Sequence, residues 1–264
     1  MNVFIKELRA NRKALIIWSV CMILLVISGM GKYTAYSAGG ASTEVFDKLP
    51  HTMKILLGLG SFEVTKIGGF YAFLFPYIQI TVAIHAVLLG SGIIAKEERD
   101  KTSEFLIAKP ISRKAIITSK LLASLVNVVI INIVSLVSSI GIVSSFHATE
   151  DITGEIVLLH VSMFLVQLIY LSLGTMLASF MRKSKKSGAI ATNILLIGFV
   201  ISKVTELVEH LNFLNVVSPF TYFNLEKLVK NNEMSIVVTI LSVGLVVVFS
   251  VFTYYFYQRR DMNI

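Results

Sequence analysis

Six long apolar runs divide this chain, and its charged residues collect in the segments between them. A helix needs about 20 mostly apolar residues to cross the hydrocarbon core of a bilayer. Most of the runs reach that length, and the fifth is the weakest because its uncharged stretch is short. The pattern predicts an all-α, polytopic membrane protein that forms one domain over residues 1–264. Its six transmembrane helices are expected at residues 14–30, 71–95, 116–145, 156–181, 188–202 and 235–257.

The first thirteen residues, MNVFIKELRANRK, mix apolar and basic positions. Phe4 and Leu8 fall on one helical face while basic residues surround the rest, which predicts an interfacial helix lying in the headgroup layer. A basic start followed by an apolar run is also typical of a cleaved signal peptide. Because the apolar run exceeds the usual length of about 7–15 residues in such peptides, we favour a retained first span.

Residues 203–233, before the last apolar run, contain two short apolar pieces on either side of Pro219. One interpretation is a re-entrant segment that enters the outer leaflet and returns. The alternative is an amphipathic loop on the outer surface. Non-helical backbone at membrane depth is tolerated only where protein shields it from lipid, so the sequence leaves both interpretations open.

The basic residues predict the orientation of the chain. The sequence carries 24 Lys and Arg against 16 Asp and Glu. Of the basic residues, 17 lie in the N-terminal segment, in 96–120, in 182–186 and in the C-terminal tail. Because cytoplasmic loops carry an excess of Lys and Arg, these four segments and both termini are expected to be cytoplasmic. The net charge is then a topology signal and an attraction to anionic lipid, and it is no evidence for nucleic-acid binding.

Several kinds of chemistry are missing from the sequence. It contains no G-x-x-x-x-G-K-[ST] phosphate-binding loop and no H-E-x-x-H zinc motif. The single cysteine, Cys21, rules out an intrachain disulfide and a cysteine-based metal site. We therefore predict no catalytic residue, cofactor or metal in this chain, and if it moves a substrate with ATP, the ATPase is a separate subunit.

Ionisable groups are scarce inside the predicted spans. Lys120 stands about one turn in from a span end and is expected to reach the headgroups with its long side chain. His85 and His160 lie within spans and are interpreted as hydrogen-bonded packing residues rather than as a proton relay. Because ion-coupled carriers usually need charged residues at membrane depth, this scarcity counts against a secondary transporter or channel.

Uncharged polar residues do recur in the spans, where contact with lipid would be costly. They are expected either to form hydrogen bonds between helices or to line a substrate path or a contact between two copies of the chain. These residues are Gln79, Asn127, Asn132, Gln167 and Asn193.

The segment 96–114, KEERDKTSEFLIAKPISRK, lies between the second and third apolar runs. It is too short for a domain, yet it has features of a small helix. Acidic residues at its start, Glu97 and Glu98, suit a helix N-terminus, and Phe105 and Leu106 give it an apolar ridge. Pro110 is expected to end that helix.

This segment resembles the cytoplasmic loop of ABC-2-type ABC transporter permeases, whose sequence pattern is close to E-x-x-x-G-T-L-E-x-L-L-x-x-P-I-S-R. Lys101 stands where glycine is usual and Ser103 where leucine is usual. The layout of spans resembles the family over essentially the whole chain. The family's re-entrant helices before the last span also match the position of Ser218–Phe220.

The resemblance implies a cytoplasmic coupling helix between spans 2 and 3, which docks on an ATPase subunit that holds ATP and Mg²⁺. Two permease copies, as a homodimer or heterodimer, would each engage one ATPase in a cell membrane, with export as the expected direction and bacteria as the expected source. Phe105 and Leu106 would be the apolar anchors of the helix. The resemblance assigns the remaining contacts to Glu97, Glu98, Arg99, Asp100, Lys101, Thr102, Glu104, Pro110 and Arg113.

Two alternatives differ in class from a permease. The same loop would serve a non-transporting membrane sensor or assembly protein that binds a cytoplasmic partner, or it is a solvated linker with no partner. Similar permeases handle peptides, lipids, ions and drugs, so the sequence does not identify a substrate.

Overall fold

The computed structural model describes residues 3–37, 48, 50–56, 62–102, 110–147, 150–181, 186–230 and 234–259. These residues form helices and connecting turns, with no strand among them. In chain order the α-helices are α1 (Val3–Met30), α2 (Tyr33–Ser37), α3 (His51–Leu56), α4 (Ile67–Arg99), α5 (Arg113–Ser144), α6 (Thr153–Phe180), α7 (Ser187–Leu207), α8 (Leu225–Lys230) and α9 (Ile236–Arg259). Two 3-10 helices, Glu209–Val216 and Pro219–Thr221, lie between α7 and α8.

Six of these helices are long and apolar enough to cross a membrane: α1, α4, α5, α6, α7 and α9. The prediction of an all-α membrane protein with six spans is therefore confirmed. The fifth span was expected at 188–202, yet α7 has 21 residues and ends at Leu207. Lys203 and Glu206 lie on its last turns and are paired at 2.8 Å, so these charges do not mark its end.

The N-terminal residues do not form a separate interfacial helix. They are the first turns of α1, which runs without a break for 28 residues. The reason is local, since residues 3–13 contain no glycine or proline to interrupt a helix. At 1.5 Å per residue α1 is about 42 Å long, which exceeds a hydrocarbon core of about 30 Å.

Helices α4 and α6 form the centre of the bundle. In their most apolar windows 67% and 61% of the residues are buried, against 17% for α1 and 11% for α9. Two glycines allow the central pair to approach closely. A Cβ atom at Gly90 would overlap the carbonyl oxygen of Leu171, and one at Gly174 would lie 2.6 Å from the carbonyl oxygen of Val87.

One end of the bundle collects helix termini from distant parts of the sequence. The start of α1 meets the end of α4 through Glu7 and Lys96. The start of α5 meets the end of α9, where Arg113 Nη1 donates to the carbonyl oxygen of Gln258 at 3.1 Å. We call this end the basic end and the opposite one the far end. Residues near both termini therefore lie at the same end, as six crossings require.

At the far end, the chain between α7 and α8 turns back along α7. The hydroxyl of Ser218 donates to the carbonyl oxygen of Gly198 at 2.8 Å. Gly198 lies nine residues before the end of α7, about 13 Å along its axis. The ring of Phe220 packs between those of Tyr170 and Phe199, with centroid distances of 5.3 and 5.4 Å. The re-entrant interpretation of 203–233 stays a prediction, because these contacts do not fix a depth in the membrane.

We expect Gly90→Ala and Gly174→Ala each to lower the thermal unfolding temperature of the detergent-solubilised protein. The new methyl group must displace backbone atoms of the facing helix, and overpacking of this kind costs about 1–3 kcal/mol. Gly92 provides a matched control in α4, because a Cβ atom there would meet nothing within 4 Å. Gly92→Ala should leave stability unchanged or raise it, since alanine favours helix more than glycine does. Equal effects of all three changes would contradict the close crossing of α4 and α6.

Candidate functional site

The candidate site is the connection between α4 and α5, residues 100–112, together with the two helix ends that carry it. We call these helix ends the feet of the connection. Residues 103–109 lie outside the described residues, and with them the predicted anchors Phe105 and Leu106 and the predicted contact Glu104. The two feet are described, and they show how the chain holds this connection.

The first foot is the C-terminus of α4, which ends in a Schellman-type turn. The amide of Asp100 donates to the carbonyl oxygen of Lys96, and the amide of Thr102 donates to that of Glu97, both at 2.8 Å. This pattern requires a left-handed residue between them, and Lys101 has φ 55°. Lys101, which stands where the resembling permease loop usually has glycine, thus occupies the left-handed position that ends the helix.

The acidic residues at this foot do not begin a loop helix, which corrects the expectation from the sequence. Glu97, Glu98 and Arg99 form the last turn of α4. Negative charge is unfavourable at a helix C-terminus. At Glu97 that charge is compensated by Lys120, as described below. Glu97 and Glu98 therefore belong to α4 rather than to the connection.

The second foot is the segment Pro110-Ile111-Ser112-Arg113, and three of its residues have distinct contacts. The hydroxyl of Ser112 accepts the amide of Ala115 at 3.2 Å and caps the N-terminus of α5. Ile111, just before the cap, packs in one cluster with Ile116, as in a hydrophobic staple. Arg113 reaches the end of α9. This foot is therefore attached to the bundle by capping, packing and hydrogen bonding together.

Four charged side chains meet at the first foot: Glu7 of α1, Lys96 and Glu97 of α4, and Lys120 of α5. We call them the charge quartet. The Lys120 ammonium lies 2.6 and 2.7 Å from the two carboxylate oxygens of Glu97 and 3.5 Å from Glu7 Oε1. It also donates to the carbonyl oxygen of Ile93. Lys96 Nζ binds the other carboxylate oxygen of Glu7 at 2.5 Å.

The charge quartet is neutral as a whole and is mostly buried, with Lys96 partly exposed at its edge. The side chain of Lys120 is fully buried, and Glu7 is 2% exposed. The expectation that Lys120 reaches the headgroups is therefore wrong, because carboxylates from two other helices hold its charge inside. Glu97 is buried as well, which places it within the foot rather than at an exposed rim.

Apolar side chains pack against the charge quartet and shield most of it from water. One buried cluster joins Ile93 and Ile94 of α4 to Ile116 and Ile117 of α5, with Phe4 and Leu8 of α1 packed against it. Phe4 and Leu8 share a face, as the sequence predicted, but that face meets protein. In such surroundings an ion pair is less screened than at a surface.

The remaining predicted contacts at the feet are mostly exposed. Arg99, Asp100, Lys101, Thr102 and Pro110 are exposed, whereas Glu98 and Arg113 are partly buried. Arg99 pairs with Asp100 at 3.0 Å, an exposed pair of little expected energy. These exposed residues form a polar surface around the connection, and a partner that approaches from this end would meet it.

The polar residues inside the spans lie at different places rather than at one site. Asn132 of α5 donates to the Gln167 side-chain oxygen of α6 at 2.9 Å. The ring of His160 contacts Ser135 Oγ at 3.2 Å and the carbonyl oxygen of Ile156 at 2.8 Å. The Asn132–Gln167 and Ser135–His160 contacts join α5 to α6, and the contact of His160 with Ile156 lies within α6.

The other predicted span residues do not join that group. Asn127 donates to the carbonyl oxygen of Ala123 in its own helix at 2.7 Å. Gln79 is buried in α4, and Asn193 is exposed on the outer side of α7. His85 packs against Trp18 with ring centroids 5.2 Å apart. Within the described residues, no group of three His, Cys, Asp or Glu side chains could hold a metal ion.

Sequence reasoning missed the charge quartet, although a signal for part of it was present. Lys120 lies seven residues after Arg113, in the second turn of a span that begins with basic residues. A buried lysine requires a carboxylate partner, and Glu97 lies just before the same connection. Glu7, however, is 89 positions away from Lys96, and no local pattern relates the two.

Lys101→Gly is expected to stabilise the solubilised protein by about 1 kcal/mol, because a left-handed residue with a side chain is strained by roughly that amount. Thermal unfolding would measure the change. Lys114→Gly is the matched control, since Lys114 is an exposed residue within the first turn of α5. Glycine in a helix costs up to about 1 kcal/mol, so this change should destabilise. If both changes destabilise, Lys101 does not have a left-handed conformation.

The comparison with known families agrees with this geometry. The profile of the family described as "ABC-2 family transporter protein" matches residues 1–262. No curated protein sequence matches the chain significantly. The family match spans all six long helices as well as the connection between α4 and α5. The chain therefore belongs to the ABC-2 transporter family and is a multi-pass membrane protein of that family.

Proposed function

We propose that this chain is the permease subunit of an ATP-driven exporter, and that the connection between α4 and α5 is where the ATPase docks. The observation that carries the proposal is the attachment of both feet. One foot is tied to α1 and α5 through the charge quartet, and the other is tied to α9 through Arg113. A connection fixed in this way can pass a push from outside the membrane into several spans, whereas a solvated linker cannot.

The energy source in this proposal lies in a separate subunit. The sequence has no phosphate-binding loop, so ATP and Mg²⁺ would be held by the partner ATPase. Membership of the ABC-2 family implies association with such a subunit. Closure of the ATPases on ATP would move the connection, and the spans would change between two arrangements.

A second copy of the chain completes the proposed transporter, with one ATPase for each permease. The exposed amide of Asn193 supports this part, because it lies within a candidate span on the outer side of α7. A polar side chain that faces lipid is costly, and a second copy would cover it. The proposed location is a bacterial plasma membrane with both termini in the cytoplasm.

The first test concerns docking. Phe105→Ala together with Leu106→Ala should abolish co-purification with the ATPase encoded beside this chain. Truncation of buried interface anchors commonly costs about 2 kcal/mol or more, roughly thirtyfold in affinity. Pull-down from detergent with the tagged permease would measure the loss, and membrane insertion should be normal.

Two controls make the docking test specific. Phe213→Ala with Leu214→Ala removes the same side chains from a 3-10 helix at the far end and should leave docking intact. Lys109→Ala, expected at the rim, should cost much less than the double change. The isolated permease should bind no ATP. If the 105/106 variant retains the ATPase and transports normally, the connection is a linker and the docking proposal fails.

The second test concerns topology. In a Cys21→Ser background, Thr102→Cys should be protected from a membrane-impermeant maleimide in intact cells and should react after permeabilisation. Thr102 is exposed in the structure, so protection would report the membrane rather than burial. Phe213→Cys, 68% exposed at the far end, should react in intact cells. Labelling of Thr102→Cys from outside would overturn the orientation.

A further inference from the structure

The charge quartet joins three helices that the sequence keeps far apart. The pair Glu7–Lys96 spans 89 positions, and the pair Glu97–Lys120 spans 23. All four residues lie near helix ends at the basic end, where side chains of this length could reach water. Glu7, Glu97 and Lys120 are instead buried, and Lys96 is paired with Glu7, so their position needs an explanation beyond membrane insertion.

Stability alone is a weak explanation for a buried ion cluster. The cost of removing charges from water can exceed their mutual attraction, and apolar side chains of similar size often stabilise a fold equally well. Unlike apolar contacts, hydrogen-bonded ion pairs depend on the relative orientation of their groups. Lys120 has three N–H donors, and its partners are Glu97, Glu7 and the carbonyl oxygen of Ile93. Its three hydrogen bonds go to α4, namely to both carboxylate oxygens of Glu97 and to Ile93. The ion pair with Glu7 at 3.5 Å adds α1, so these contacts together fix where α1, α4 and α5 lie relative to one another.

Helix α1 packs along α5 over a long contact but meets α4 more sparsely, so its link to the first foot relies on the charge quartet. Only 17% of its most apolar window is buried, so much of its surface would face lipid. Between helices in lipid no hydrophobic force opposes sliding. Glu7 is the only acidic residue of α1, and both of its carboxylate oxygens contact lysines of the other two helices.

We infer that the charge quartet is a transmission joint, in which Glu7 and Lys96 are positioning residues that make α1 follow the first foot of the connection. This inference rests on the proposed function, in which an ATPase displaces that foot. The pair Glu97–Lys120 holds the foot to α5, and the pair Glu7–Lys96 extends the same rigid unit to α1. Movement that begins at residues 100–112 then reaches a span that is not adjacent to them in sequence.

The test uses a variant, called the untied variant, that removes the Glu7–Lys96 pair between α1 and α4 and leaves the first foot intact. Glu7→Met with Lys96→Met removes one negative and one positive charge, so the remaining pair Glu97–Lys120 stays neutral. The double variant should retain its fold and unfold at a higher temperature than Lys96→Met alone, which leaves a buried carboxylate poorly compensated. If the methionine variant does not fold, Glu7→Gln with Lys96→Gln replaces it in the same measurements. Lys203→Met with Glu206→Met, an ion pair at the far end, is the matched control.

Distances between spin labels report the joint without any partner. Labels at Ile5→Cys and Thr102→Cys, in a Cys21→Ser background, place one probe on α1 and one at the foot, and both positions are exposed. Double electron–electron resonance on the isolated chain in nanodiscs should give a narrow distance distribution for the parent. The distribution should broaden in the untied variant and stay narrow in the far-end control. An equally narrow distance distribution in the untied variant would contradict the inference that the charge quartet is a joint.

A second measurement uses the complex with the ATPase and compares the nucleotide-free state with the ATP–vanadate state. A reference label at Ile190→Cys on α7, 39% exposed, is paired with Thr102→Cys or with Ile5→Cys. In the parent both distances should shift on trapping. In the untied variant the Thr102 distance should still shift, and the Ile5 shift should be lost.

The outcomes separate the inference from the proposed function. If the parent forms no complex with the ATPase, or if Thr102 does not move in that complex, the docking proposal fails. The inference that the charge quartet transmits movement then fails as well. If the parent behaves as expected and Ile5 still moves in the untied variant, only the joint is overturned. A purely structural role for Glu7 and Lys96 would change the two distances alike, so separate behaviour of the two supports transmission.

Discussion

The buried ammonium group of Lys120 constrains the whole basic end of this protein. An unpaired charge in an apolar interior is very costly, so carboxylates must lie within reach of it. They come from Glu97 of α4 and Glu7 of α1, and this requirement sets the heights of three helices against each other. The end of α4 and the start of α5 are thereby held in place, and the connection between them leaves the bundle from fixed positions.

Inside the membrane a different constraint applies, because lipid tails are as apolar as the helices and give no hydrophobic preference for protein contacts. Helices α4 and α6 meet where Gly90 and Gly174 let their backbones approach. Polar contacts then join α5 to α6 through Asn132 and Gln167. The centre of the bundle is fixed by close packing and by hydrogen bonds, and α1 and α9 remain at its periphery.

The motif around the connection shows how a local pattern can be recognised while its physical basis is missed. Pro110 is predicted to end a loop helix, and the three residues after it, Ile111, Ser112 and Arg113, attach the start of α5. Glu97 and Glu98 were interpreted as a helix N-terminus because acidic residues favour that position. They belong to the end of α4, since Glu97 is neutralised by a lysine in another helix. The compensating charge is 23 positions away, beyond the range of any capping rule.

Residue composition and spacing determined the helical class, the six spans and the separation of charged segments from apolar ones. These properties follow from the length of chain needed to cross a bilayer and from the cost of charge within it, and both are local. Only the tertiary structure decided which charges meet and that Ser218 returns to Gly198. Those features depend on contacts between residues far apart in sequence. A sequence shows that Glu7 and Lys120 carry opposite charges, but only packing of the helices decides that they share one buried site.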